Sequence, residues 1–163
     1  MSLSFLGWLF ALGVVIHNVE EALFLPAWSL CAGRWPRAVS AVAFRFAVTV
    51  LSMAVLIAAW FASTGGSQSI GAYFLVGYAL AMVLNVFIPH VAASIVLRSY
   101  APGTGTALLF NLPLGGWLIY RYLAEGYLKP PVFLFSGPVT VLAIVATIPV
   151  LFYVDKKLIS PSS

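Results

Sequence analysis

Five long apolar runs, separated by short polar breaks, constrain this chain more than any other feature. They cover about residues 3–25, 39–62, 70–97, 106–123 and 132–154, and the breaks read "CAGRWPR", "STGGSQS", "RSYAPGTG" and "EGYLKPP". A helix crosses the hydrocarbon core of a bilayer with about 20 apolar residues, so each run is near the length of a span. A membrane barrel would show alternating segments of about 10 residues instead. Charged residues make up 7% of the chain, against about 25% in a soluble globular domain. That is too few to cover a surface facing water. The expected fold is an all-α integral membrane protein: a five-helix transmembrane bundle forming a single transmembrane domain over residues 1–163.

The charges that remain set an orientation. Arg34, Arg37, Arg98, Lys156 and Lys157 follow the first, third and fifth runs, which with five spans places them on one side. The opposite side carries Arg121 and Lys129, partly offset by Glu125. Cytoplasmic loops are enriched in Lys and Arg, which puts the N-terminus outside and the C-terminus in the cytoplasm. Tyr120, Tyr122 and Tyr127 are then expected in an outer aromatic belt, with Trp8, Trp28, Trp35, Trp60 and Trp117 as interface anchors and packing. Cations at helix ends are not a nucleic-acid footprint. The first run lacks a basic start and is interrupted by Glu20 and Glu21, so it reads as a retained helix and not a signal peptide. Cys31 is the single cysteine, which excludes an internal disulfide.

The first run also holds the segment "VVIHNVEEALF". A charged side chain at the bilayer centre costs about 2.5–3.5 kcal/mol on insertion scales, and two neighbouring carboxylates repel each other. Such groups persist where they have partners or a use. On a helix, His17 lies three and four residues before Glu20 and Glu21, so one face can present all three. At about 1.5 Å per residue, alternating spans bring Arg45, Asn85, His90 and Asn111 to the same depth band. Pro89 and Pro113 stand beside His90 and Asn111. A proline inside a helix frees a backbone carbonyl and bends the chain, so "NVFIPH" and "FNLPLGG" read as walls of a polar pocket, with the last run outside it.

"HNVEE" in a first span, followed by "NVFIPH" in a later one, resembles the HXXEE family of uncharacterised integral-membrane proteins of bacteria. His17, Glu20 and Glu21 match the positions that name the family, and the resemblance implies no activity. "EEALFLP" shares the glutamate pair of CPBP-type intramembrane proteases but lacks the arginine expected shortly after it. The pair is also similar to that of membrane-embedded carotenoid cyclases, without the rest of their pattern.

The residues support several readings. His17, Glu20, Glu21 and His90 form a candidate nitrogen–oxygen site for a divalent metal ion, zinc first, with iron or manganese as alternatives. Glu20, Glu21 and Arg45 are candidate catalytic groups, and Asn85 and Asn111 candidate binding groups. The chemistry would be hydrolase-type, on a lipid-like or isoprenoid substrate within the membrane. A metal-free pair of glutamates serving as acid and base would suit an isomerase or cyclase. The same polar groups could instead carry ions or glue helices together. Membrane lipids, a lipid-like small molecule and a homo-oligomer are the partners such a chain admits.

Overall fold

The computed structural model describes residues 1–31, 40–155 and 157. Among them there is no strand. Helix α1 (Leu3–Cys31) is followed by α2 (Ala41–Gly65) and α3 (Ile70–Asn85). α3 runs on through a π-helical turn, Val86–Val91, into α4 (Ala92–Val96). α5 (Thr104–Thr106) leads through a second π-helical turn, Ala107–Asn111, into α6 (Leu112–Ala124), and α7 (Pro130–Val154) completes the bundle.

Local chemistry explains most of these boundaries. The Ser40 and Ser69 hydroxyls accept from the Ala43 and Ala72 N–H groups at the starts of α2 and α3, satisfying donors that a helix leaves open. α7 begins on Pro130–Pro131 after an extended Lys129, where a missing N–H costs nothing, and Pro113 is the second residue of α6, directly after the π turn. Ile88, inside the first π turn, has φ −131° and ψ 113°, which puts a kink immediately before Pro89.

Leu3–Cys31, Ala41–Gly65, Ile70–Val96 and Pro130–Val154 are long and apolar enough to cross a membrane. The hydropathy predicts a further span over 106–123. There α5, the second π turn and α6 run on without a break over 104–124, the regular part being Leu112–Ala124, 13 residues. Leu23, Ile70, Phe135 and Leu142 are among many large apolar side chains on the outside, a surface suited to lipid.

α3 sits centrally, packed against α2, α6 and α7, while α1 packs against α2 and α6. The core joins Leu6, Phe10 and Val14 of α1 to Val55, Leu75, Val76 and Leu118. Tyr122 departs from the expected belt: it is buried in this core against Tyr127, and Tyr120 is exposed.

Polar contacts tie each end together. At one end the Arg121 guanidinium reaches the Met1 carbonyl, and the Gln68 amide reaches the Tyr127 carbonyl. The Lys129 N–H donates to the Tyr73 hydroxyl there as well. The segment joining α4 to α5 lies at the other end, and Ala101, Pro102, Gly103 and Thr104 are all buried. Arg34, Arg37 and Lys156 of the charge pattern lie outside the described residues, as does Trp35.

Candidate metal centre

His17 is fully buried on the inner face of α1, and His90 is buried on the π turn that ends α3. Their rings meet edge to face with centroids 4.8 Å apart. Glu21, one turn after His17, sends its two oxygens to the two rings: Oε2 is 3.6 Å from His17 Nε2 and Oε1 is 3.4 Å from His90 Nε2. One ligand atom from each of the three lies within 4.8 Å of the others. Two imidazole nitrogens and a carboxylate oxygen form a donor set that zinc, iron or manganese accepts. This group could hold a metal ion.

Asn85 stands over the same point. Its Nδ2 is 3.0 Å from His90 Nε2 and 3.5 Å from His17 Nε2. The regular part of α3 ends at Asn85 and the π turn follows. The backbone kink at Ile88, with φ −131° and ψ 113°, re-aims the chain there. It brings Asn85 and His90 onto one atom-scale spot although they are five residues apart.

Glu20 is set apart from this group. Its Oε1 accepts the Tyr100 hydroxyl at 2.5 Å and the Gly103 N–H at 2.9 Å, and its Oε2 accepts the Thr106 hydroxyl at 2.6 Å. All three donors come from the segment that folds in between α4 and the second π turn. The sequence marks that segment only as a break between apolar runs. Tyr100, Gly103 and Thr106 are therefore site residues that hydropathy does not reveal. The "PGTG" run is the available signal, since glycine there permits a conformation other residues resist. Gly103 has φ +91°, and a Cβ on it would lie 2.6 Å from His90 Cε1 and 2.9 Å from His17 Cε1.

The structure does not bring Arg45 or Asn111 to the cluster. Arg45 is exposed and its Nε donates to the Ala22 carbonyl at 3.2 Å. This long side chain lies along α1 with its charge at the surface, as lysines and arginines near helix ends do. Asn111 is fully buried, and neither atom of its amide has a hydrogen-bond partner among the described residues; nothing in the structure explains it. Asn18 is a polar group of the motif segment that hydropathy passes over. It is buried, and its amide donates to the Ser52 hydroxyl at 2.9 Å and approaches the Val48 carbonyl at 3.4 Å.

A cavity of about 520 Å³ opens beside the cluster. His17, Glu21, Asn85 and His90 line one part of it, and apolar side chains such as Leu25, Phe44 and Met82 line the rest. Its walls correct the expected assignment of helices. α7 supplies Ile144, Val145, Ile148 and Phe152, and α6 supplies none of the lining. The reason is the central place of α3, which lets α7 close the gap beside α2 while α6 packs on the opposite flank. Glu20, Arg45 and Asn111 are not among the lining residues.

The comparisons with known proteins follow the motif. The chain is similar over residues 8–118 to the family described as proteins of unknown function with an HXXEE motif. It is 32% identical over 152 residues, 93% of this chain and 96% of the relative, to the uncharacterized protein YrkK of Bacillus subtilis strain 168. No solved structure matches. His17, Glu20 and Glu21 are the motif's positions in this sequence, and with the match spanning most of the bundle, the chain belongs to the HXXEE family.

Proposed function

We propose that this is a membrane-embedded, metal-dependent enzyme with hydrolase-type chemistry on a lipid-like substrate. One observation carries the reading: His17, Glu21 and His90 converge, with ligand atoms within 4.8 Å, on the wall of an apolar cavity. Two Nε2 atoms and a carboxylate all face one spot, a donor set that a cation would complete. Zinc is the favoured ion. When bound it supplies a Lewis acid and lowers the pKa of a coordinated water to about 7.

The chain's own residues supply the remaining requirements. The apolar walls of α1, α2, α3 and α7 exclude water and accept an aliphatic or isoprenoid tail. Asn85, with its amide at the cluster, can orient a carbonyl or hydroxyl of the substrate. Glu21 brings the negative charge that balances part of a divalent cation. The metal-free reading in which two adjacent glutamates share a proton gains no support, because Glu20 is fully engaged by three donors. The protein resides in the bacterial inner membrane with its N-terminus outside, by the distribution of Lys and Arg.

Metal content of the protein purified in detergent tests the reading. About one equivalent of zinc is expected, absent from His17→Ala, Glu21→Gln and His90→Gln. At a free concentration of 100 times Kd, zinc should stabilise the native fold by about 2.7 kcal/mol. Ile148→Trp, on the α7 wall, is expected to lose co-purifying lipid and keep the metal. A folded wild-type protein without metal, whose thermal unfolding zinc does not shift, would refute the proposal.

A further inference from the structure

We propose that the two adjacent glutamates of the motif hold different posts. Glu21 faces the cluster. Glu20 is a positioning residue that acts through Thr106 to keep the proton of His17 on Nδ1, leaving Nε2 as a free acceptor. The consequence for metal affinity rests on the metal-centre reading; the hydrogen-bond chain does not.

The assignment follows from counting protons. The Thr106 hydroxyl has one, and two acceptors are in reach: Glu20 Oε2 at 2.6 Å and the Gly103 carbonyl at 3.2 Å. Hydrogen bonds to a carboxylate are shorter and roughly twice as strong as neutral ones, so the proton goes to Glu20. The Thr106 oxygen can then only accept from the atom facing it at 3.1 Å, which is His17 Nδ1. The Gly103 carbonyl, 3.2 Å from the same nitrogen, is likewise an acceptor. Nδ1 therefore carries the proton. The opposite side of the ring agrees: Asn85 Nδ2, a donor, is 3.5 Å from His17 Nε2. Glu20 is itself held in place by the Tyr100 hydroxyl and the Gly103 N–H, and the Tyr100 oxygen accepts the Gly105 N–H at 3.0 Å.

In metal sites the partner of a histidine's second nitrogen fixes the tautomer and ring orientation, and its loss typically costs 10–100-fold in affinity. Here the carboxylate acts through an intervening hydroxyl. The adjacency of Glu20 and Glu21 becomes intelligible on this basis. Consecutive helical residues point about 100° apart, so one reaches the cluster and its neighbour reaches the segment that braces it.

The test uses zinc-free, ¹⁵N-labelled protein in lipid nanodiscs and long-range ¹H–¹⁵N correlation spectra. The chain has two histidines, and His90→Gln assigns the remaining ring. Wild type and Thr106→Ser should show His17 protonated on Nδ1. Thr106→Val and Glu20→Ala should shift His17 toward the other tautomer. The same two variants should bind zinc about 10–100-fold more weakly in competition with a chromophoric chelator, with Thr106→Ser close to wild type. Thr106→Ala replaces Thr106→Val if the latter does not fold. His17 remaining protonated on Nδ1 in both Glu20→Ala and the Thr106 variant would overturn the proposal, since the Gly103 carbonyl would then suffice. The two readings fail separately. A tautomer response without zinc binding sinks the metal centre and leaves the relay, whereas normal zinc binding with unchanged tautomers sinks the relay.

Discussion

Gly103 is the residue at which the site has least latitude. Its positive φ is costly for any L side chain, at about 1–2 kcal/mol. A methyl group there would also collide with both imidazoles, at 2.6 Å and 2.9 Å. Gly103→Ala should therefore lower the thermal unfolding midpoint and, separately, abolish stabilisation by zinc. Unfolding in nanodiscs with and without zinc measures both, and an unchanged zinc response would contradict the placement of Gly103 against the rings. At this scale the sequence was only partly legible. His17, Glu20, Glu21 and His90 declare themselves because ionisable groups in an apolar run need a reason. Gly103, Thr106 and Tyr100 do not, because nothing about a glycine, a threonine or a tyrosine near a break is unusual until the chain folds back.

Element by element, the regular helices follow from apolar run length and serine caps, while the irregular turns decide the chemistry. Pro89 and Pro113 announce irregular backbone near His90 and Asn111, but not which way the side chains turn afterwards. The first π turn sends His90 into the cluster; the second leaves Asn111 buried without a hydrogen-bond partner among the described residues. The α2–α3 contact is tighter than hydropathy suggests. A Cβ on Gly71 would lie 2.7 Å from the backbone carbon of Phe61. Backbone cannot rotate away as a side chain can, so Gly71→Ala must push the two helices apart. The expected cost is about 1–3 kcal/mol, read as a fall in unfolding midpoint with zinc affinity little changed. A variant as stable as wild type would mean that the crossing is looser than described.

Across the whole molecule, the N-terminus, the α2–α3 connection and the α6–α7 connection gather at one end, joined by Arg121–Met1 and Gln68–Tyr127 contacts. The proposed orientation puts this end outside. Ser67 is exposed there, and Cys31, also exposed, ends α1 at the far side. A membrane-impermeant maleimide should label Ser67→Cys in intact cells and reach Cys31 only after permeabilisation; the reverse pattern would invert the topology. Hydropathy alone determined the helical class and the presence of helices long and apolar enough to cross a membrane, and it marked His17, Glu21 and His90 as groups that need a reason, because insertion energetics act residue by residue. Tertiary structure alone decided that Arg45 turns to the surface, that α7 and not α6 walls the cavity, and that Glu20 braces a loop while Glu21 faces two histidines. Those outcomes depend on which helix neighbours which and on where a segment without periodicity folds back, and both are fixed by long-range packing that no local run of residues encodes.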